Sequence, residues 1–295
     1  MGSALARGIV DGVLTGGVYA LMAAGLTLIF GVLDIINIAQ GVLVVLGAYL
    51  SYVLSVHLGI DLFVGLAITV PAMFVLGVAI EWFLLRRLRG SERTALAILV
   101  TYAVAIIIEG VLTEVFGANP VQLSAWYVNG SIHVVGRFYL AYIYLFGFIL
   151  AAVALVALHF VLYRTRFGRS VRATVQDRTA AQLIGIDVDR VAALTFGIGV
   201  AVTAAGGMIF GATNGAFNPN SGYDLISRLL TIVILGGLGS IVGALGAAVV
   251  MLVIVDVVAV VWSPTWSTVV FYAALVLVLS IRPAGLFGRQ AARAQ

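Results

Sequence analysis

The sequence predicts an all-α, polytopic integral membrane protein with eight or nine transmembrane helices. Its 295 residues are 63% hydrophobic and only 9% charged, and the mean hydropathy is +1.18. Soluble domains average about 45–50% apolar and about 25% charged residues, so a soluble fold could not bury this much apolar surface. The apolar stretches are continuous rather than alternating, and several exceed the ~20 residues that cross a bilayer. This pattern favours helices over the strands of a barrel.

Nine helices follow from the apolar stretches and the polar or glycine-containing segments between them. Their predicted ranges are 8–30, 41–57, 61–85, 94–116, 138–163, 191–213, 225–238, 241–261 and 264–281. The seventh is short and ends in the glycine-rich segment 236–240, which predicts a re-entrant or broken helix. Residues 1–295 are therefore expected to form a single transmembrane domain.

Arginine determines the expected orientation, because all sixteen basic residues are arginine. Most fall in three clusters: Arg86, Arg87, Arg89 and Arg93; Arg164, Arg166, Arg169, Arg172, Arg178 and Arg190; Arg282, Arg289 and Arg293. The positive-inside rule places all three clusters in the cytoplasm. The loops at about 117–137 and 214–224 are poor in arginine and are predicted to be external. Three crossings before the first cluster place the N-terminus outside, although Arg7 argues mildly against that.

Composition also excludes several kinds of site. Without lysine there is no G-x-x-x-x-G-K-[ST] ATPase loop and no Schiff base. Without cysteine there is no disulfide or thiolate metal site, and His57, His133 and His159 are far apart in the sequence. We therefore predict no catalytic residue, no metal site and no directly bound cofactor.

Two similar segments suggest an internal repeat. Residues 23–31 read A-A-G-L-T-L-I-F-G, and residues 204–211 read A-A-G-G-M-I-F-G. A polar stretch that contains asparagine and ends in glycine follows each copy, at 34–41 and 214–222. In the predicted topology the copies run in opposite directions, which is the inverted repeat with discontinuous helices found in many transporters. The alternative is coincidence in a chain rich in alanine and glycine.

Four motifs resemble those of LivH-type permeases of branched-chain amino acid ABC transporters. They are I-N-x-A-x-G (Ile36, Asn37, Ala39, Gly41) followed by G-A-Y at 47–49; R-F-G-R-S-V-R-A onward to G-I-D-V-D-R-V-A-A-L-T-F within 166–196; L-G-G-L-G-S-I-V-G-A-L-G at 235–246; and R-P-A-G-L-F-G at 282–288. They are spread over nearly the whole chain and occur in the expected order.

The resemblance implies an import permease that is not an enzyme. Its partners would be a LivM-like second permease, two cytosolic ABC ATPase subunits that use ATP and Mg, and an external solute-binding protein; no nucleic acid is involved. It implies a multi-pass protein in the plasma (inner) membrane of a bacterium or archaeon. The expected cargo is a branched-chain or similar small amino acid, with urea, short-chain amides and other small carboxylates left open.

An arginine-rich cytoplasmic loop at 164–190 contains the segment T-A-A-Q-L-I-G. ABC importers present a short cytoplasmic helix to each ATPase, often with the pattern E-A-A-x-x-x-G, which this segment matches except that threonine replaces the acid. The later I-x-L-P part of that pattern is missing. Asp177 or Thr179 could cap such a helix, and glycine could end it. The predicted coupling residues are Asp177, Thr179, Ala180, Ala181 and Gly185; the alternative is a solvated loop whose arginines only set topology.

Polar residues within or between apolar segments are candidates for the translocation pathway, because such residues are costly in a membrane unless they are paired or face a cavity. The candidates are Tyr19, Asn37, Gln40, Gly41, Glu109, Asn214, Asn218 and Asp256. Asn37 could instead hold a broken helix together by bonding freed carbonyls, which we favour. The acids Glu109 and Asp256 also leave open a stand-alone secondary transporter or channel that is driven by a proton or sodium gradient.

Overall fold

A computed structural model describes residues 2–88, 90, 92–134, 138–282 and 285–286. Within them, the helices are α1 (Gly2–Leu33), α2 (Gln40–Leu58), α3 (Leu62–Phe83), α4 (Arg93–Phe116), α5 (Trp126–Asn129), α6 (Tyr142–Arg164), α7 (Arg166–Gln176), α8 (Arg178–Leu183), α9 (Val188–Thr213), α10 (Ser221–Gly236), α11 (Ile241–Val261) and α12 (Pro264–Ile281). The strands β1 (Ser131–Val134) and β2 (Phe138–Ala141) form one antiparallel hairpin. Arg89, Arg289 and Arg293 of the predicted clusters, and most of the motif at 282–288, lie outside the described residues.

The predicted polytopic all-α architecture is confirmed. Eight helices of the described chain are long and apolar enough to cross a membrane. The ninth predicted helix is α10, whose 16 residues extend about 24 Å. That length is less than the ~30 Å thickness of the hydrocarbon core.

Three predicted helix starts were wrong. The helix predicted at 8–30 begins at Gly2. The helix predicted at 138–163 begins at Tyr142, because residues 138–141 pair with 131–134 in an antiparallel hairpin. The helix predicted at 225–238 begins at Ser221, so Tyr223 and Asp224 belong to α10 and not to the preceding loop. Their polarity suggested a loop, whereas in the fold they lie on one polar face of a helix.

The centre of the bundle is formed by α1 and α9, which are largely buried by α2, α3, α6, α10 and α11. A stripe of glycines at every fourth position of α1 lies directly on α11. A Cβ atom added at Gly12 would lie 2.5 Å from the Cα atom of Val253, and one added at Gly16 would lie 2.8 Å from that of Val249. Glycines therefore allow the two backbones to approach closely, as in other membrane helix pairs.

Helix α2 begins in the interior of the bundle and not at its surface. After α1 ends at Leu33, residues 34–37 have no regular structure, and Asp34 has a positive φ of 57°. At the start of α2, the side chain of Gln40 reaches Thr203, near the midpoint of α9. From there α2 runs beside α9, since a Cβ atom at Gly207 would meet the carbonyl oxygen of Val44 at 2.1 Å. The segment between α1 and α2 is thus the unwound stretch that the sequence suggested.

The first turn of α10 contacts the first turn of α2 in the interior of the bundle. A Cβ atom added at Gly41 would lie 2.1 Å from the carbonyl oxygen of Gly222. From this contact α2 runs toward the predicted external side and α10 toward the predicted cytoplasmic side. The two glycines that end the polar stretches of the predicted repeat are therefore in contact with each other.

Candidate functional site

Helices α7 and α8 form the predicted cytoplasmic loop at 164–190. Helix α7 was not predicted; the side chain of Thr165 caps it by accepting a hydrogen bond from the backbone N–H of Gly168. Helix α8 coincides with the predicted coupling segment. Asp177, and not Thr179, caps it, because the Oδ1 atom of Asp177 accepts a hydrogen bond from the backbone N–H of Ala180 at 2.9 Å.

Gly185 ends α8 in a left-handed conformation with φ = 87°. The backbone N–H of Gly185 donates to the carbonyl of Gln182 at 3.0 Å, and that of Ile186 donates to the carbonyl of Ala181 at 3.0 Å. These bonds satisfy carbonyl groups that the end of a helix leaves free. The segment is thus a rigid helical turn with defined ends and not an irregular loop.

Two large apolar side chains are exposed at the end of α8 and directly after it. Leu183 is 84% exposed and Ile184 is 75% exposed, and Ala180 is exposed beside them. Ala181 is buried and faces the protein, so only one of the two motif alanines is available to a partner. Two large apolar side chains that face the aqueous side of a membrane protein indicate an interaction surface.

Asp189 connects α8 to two transmembrane helices. It lies in the first turn of α9, and its Oδ2 atom is 3.1 Å from the Nε atom of Arg86, which follows α3. Its Oδ1 atom is 3.7 Å from a guanidinium nitrogen of Arg178, the first residue of α8. The guanidinium of Arg86 also stacks over the ring of Trp82 at 4.0 Å. These two ion pairs therefore link the start of α8 to the end of α3 and the start of α9.

A cavity of about 680 Å³ lies at the predicted cytoplasmic ends of α1 and α6. Helix α7 and the glycine-rich loop before α11 complete its walls, and Arg172, Gln176 and Gly239 line it. The cavity therefore lies where α7 packs beside the ends of α1 and α6.

Asn37 and Gln40 lie together in the break between α1 and α2, and both are fully buried. The amide nitrogen of Asn37 donates to the Oε1 atom of Gln40 at 2.8 Å, and the amide nitrogen of Gln40 donates to the hydroxyl of Thr203. Thr203 in turn donates to the carbonyl of Gly199 at 2.8 Å. This chain of hydrogen bonds attaches the start of α2 to α9, which agrees with a structural role for Asn37 and Gln40.

Replacing Gln40 with leucine is expected to destabilise the protein by about 1–3 kcal/mol, because the buried donor of Asn37 then has no acceptor. The measurement is the thermal unfolding midpoint of the purified protein in detergent. Ser280→Ala is the control, since this exposed hydroxyl bonds only the carbonyl of Val276 on its own helix. Equal midpoints for the Gln40 variant and the wild type would show that the hydrogen-bond chain contributes nothing to stability.

A small cavity of about 60 Å³ lies between α1, α6 and α9 toward the predicted external side. Tyr19 and Asn214 line it, together with Thr15 and Tyr144. The hydroxyl of Thr15 donates to the Oδ2 atom of Asp256 at 3.1 Å, so Asp256 lies beside this cavity. The fold therefore brings three predicted pathway residues together: Tyr19, Asn214 and Asp256.

Two other predicted pathway residues lie around the start of α10. The Oδ1 atom of Asn218 accepts a hydrogen bond from the hydroxyl of Ser221 at 3.1 Å, so Asn218 shapes the turn that leads into the helix. Glu109 on α4 lies near Tyr223. Gly41 provides the contact between α2 and α10, the two helices that begin inside the bundle and that we call the half-helices, while Asn37 and Gln40 lie beside it in the interior.

Sequence reasoning missed an ion pair on α10 next to these residues. The Nε atom of Arg228 is 2.9 Å from the Oδ2 atom of Asp224, one turn earlier. Both side chains lie near Tyr19, and Arg228 also lies near Asp256. The signal was present, because Arg228 falls inside the predicted helix 225–238 and outside the three arginine clusters.

The segment between α4 and α6, which is predicted to be external, is attached to the bundle by a backbone bridge and a side-chain hydrogen bond. Residues Val121 and Phe217 form an isolated antiparallel bridge between this segment and the stretch before α10. The hydroxyl of Tyr127 donates to the Oδ2 atom of Asp61, the residue that caps α3, at 2.8 Å. Burial raises the pKa of Tyr127, and the bond to Asp61 raises it further, so the phenol remains a donor at neutral pH.

Comparison with known proteins agrees with this architecture. The family described as "Branched-chain amino acid transport system / permease component" matches residues 8–279. The high-affinity branched-chain amino acid transport system permease protein LivH of Salmonella typhimurium is 32% identical over 295 residues, which cover 95% of this chain and 94% of that protein. BraD of Pseudomonas aeruginosa, with the same description, is 29% identical over 95% of both chains.

A more distant relative is the high-affinity branched-chain amino acid transport system permease protein LivM of Escherichia coli, which is 24% identical over 84% of this chain and 63% of that protein. No solved structure matches the chain. The family match extends from the first turns of α1 to the last turn of α12 and so includes both half-helices and α8. The chain therefore belongs to the family of permease components of branched-chain amino acid transport systems.

Proposed function

We propose that this permease is the membrane subunit of an ABC importer that carries branched-chain or similarly small amino acids into the cell. The observation that carries the proposal is α8, a capped cytoplasmic helix that exposes Leu183 and Ile184. A chain without the lysine of a phosphate-binding loop needs an external source of energy for uphill transport. An apolar helix on the cytoplasmic side provides the surface on which an ATPase can act.

In the proposed mechanism, a loaded solute-binding protein docks on the external side, and ATP closes two cytosolic ATPase subunits. Their closure displaces α8, and the ion pairs of Asp189 with Arg178 and Arg86 transmit this displacement to α9 and α3. Helix α9 contacts both α1 and α2, so its movement would displace α2 at the contact between α2 and α10. Access then alternates from the external to the cytoplasmic side.

The proposed partners are a LivM-like second permease, the two ATPases with their ATP and Mg²⁺, and the binding protein. The similarity of the chain to both LivH and LivM supports two permeases of related fold side by side. The proposed location is the plasma (inner) membrane. Weak contacts between permease and cargo suit rapid release, so the binding protein would provide most of the selectivity.

Reconstitution tests the proposed function directly. Vesicles that contain this chain, the second permease and both ATPases are expected to take up radiolabelled leucine only when the binding protein is outside and ATP is inside. Vesicles with the chain alone, under an imposed proton or sodium gradient, serve as the control. Uptake by the chain alone would contradict the ABC mechanism and favour an ion-coupled transporter that uses Glu109 or Asp256.

A further inference from the structure

The position of α10 leaves one of its faces uncovered by the other described residues of the chain. The helix starts at the contact of Gly222 with Gly41, in the interior of the bundle, and runs from there to the predicted cytoplasmic end. Leu225, Ile226 and Leu229 are buried on its inner face. The residues of the outer face therefore lie at the level of the hydrocarbon core.

The outer face of α10 is polar, and we call the residues Tyr223, Asp224, Ser227 and Arg228 the α10 polar face. Their spacing places them on one side of the helix. Tyr223 is 40% exposed, and the side chains of Asp224 and Arg228 are 64% and 26% exposed. Charged side chains at this depth are costly in lipid and are found where they meet water or a polar partner.

Polar groups on neighbouring helices extend this face on both sides. On one side, Glu109 of α4 lies near Tyr223. On the other side, Arg228 lies near Tyr19 of α1 and Tyr272 of α12. By contrast, the outer face of α6 exposes Val153, Val156 and Phe160, as expected for contact with lipid.

The charges of the α10 polar face match those of an amino acid. Arg228 offers a planar set of donors that suits a carboxylate, and the largely exposed Asp224 offers acceptors that suit an ammonium group. Because the two side chains neutralise each other in the absence of cargo, a zwitterion can exchange partners with them without leaving an unpaired charge behind. Such an exchange gives weak and reversible binding, which suits a site of transit.

We propose that the α10 polar face lines the aqueous translocation pathway, where Arg228 contacts the carboxylate and Asp224 the ammonium group of a zwitterionic amino acid in transit. This inference rests on the proposed function and names the residues that meet the cargo. The opposite wall of the pathway would come from the second permease.

Cysteine labelling tests whether this face is aqueous, and the chain has no native cysteine. In the assembled complex in vesicles, Ser227→Cys is expected to react with a trimethylammonium methanethiosulfonate roughly tenfold faster than Val153→Cys, since a charged reagent needs water to reach its target. Excess leucine is expected to slow the reaction at position 227 only. Equal rates at the two positions would overturn the proposal.

Exchange of the two charges tests their role. Asp224→Arg with Arg228→Asp keeps the ion pair and reverses its direction along the helix. We expect leucine uptake to fall roughly tenfold or more, while association with the ATPases and the unfolding midpoint stay close to wild type. The matched control exchanges another pair at the same spacing, Arg7 with Asp11 at the start of α1, and is expected to keep uptake.

The outcomes separate the inference from the proposed function. Uptake by the exchanged α10 variant within about twofold of wild type would show that the pair is only structural. If that variant does not fold, the labelling of Ser227→Cys provides the test of cargo contact. A labelling rate that leucine does not slow overturns the proposal. A wild-type complex that does not take up leucine contradicts the proposed function, and the labelling rates then still decide whether the α10 polar face is aqueous.

Discussion

Replacing Leu183 with glutamate is expected to remove the ATPases from the purified permease without unfolding it. The side chain is 84% exposed at the end of α8, so its replacement disturbs little within the chain. In a complex, the same side chain would be buried in a groove of the ATPase, where a carboxylate is poorly tolerated. Loss of such an anchor residue costs about 2 kcal/mol or more, which weakens association roughly 30-fold.

The measurement is co-purification of the ATPases with a tagged permease, followed by titration of the separated components. Leu58→Glu is the matched control, because Leu58 is a 63% exposed leucine at the opposite end of the bundle. It receives the same charge and is expected to keep the ATPases. Undiminished association of the Leu183 variant would place the ATPase contact elsewhere on the cytoplasmic surface and remove the support for α8 as the coupling helix.

Replacing Gly41 with alanine is expected to lower both stability and transport. The added Cβ atom would lie 2.1 Å from the carbonyl oxygen of Gly222 and 2.8 Å from the backbone nitrogen of Ile226. Backbone atoms cannot rotate away as the end of a side chain can, so α2 and α10 must move apart. Overpacking of this kind costs about 1–3 kcal/mol or more.

The thermal unfolding midpoint in detergent and the rate of leucine uptake measure the effect of the Gly41 variant. Gly110→Ala provides the control, because Gly110 lies in the middle of α4 with no atom within 4 Å of an added Cβ atom. Alanine there is expected to stabilise the helix slightly, by up to about 1 kcal/mol. A Gly41 variant that melts and transports like the wild type would mean that the two half-helices are not held in close contact.

Helix positions were predictable because they depend on local properties of the chain. The bounds predicted from the apolar stretches lie within three residues of the observed bounds of α2, α4, α9, α11 and α12. Turn chemistry likewise predicted that Gly185 could end α8. Helix α7 was missed because its arginines suggested a solvated loop, although its apolar residues recur at helical spacing.

The candidate site was only partly predictable. Tyr19, Asn214 and Asp256 were selected as polar residues in apolar surroundings, and the fold does bring them together. Asp224 was missed because it was assigned to a loop, and Ala181 was assigned to a contact surface although it is buried. The error at Ala181 arose because the exposure of a side chain depends on which other helices pack against its own helix.

Hydropathy predicts a chain that crosses the membrane repeatedly as helices, the placement of arginine predicts that its arginine clusters face one side, and the absence of lysine excludes the phosphate-binding loop of an ATPase. Each of these inferences follows from composition or from residues close together in the chain. The packing of the described helices was needed to show that α2 and α10 begin against each other inside the bundle, that Asp189 joins α8 to α3 and α9, and that the charged face of α10 is exposed. These features depend on contacts between residues far apart in the sequence, and hydropathy and spacing within a single segment contain no information about such contacts.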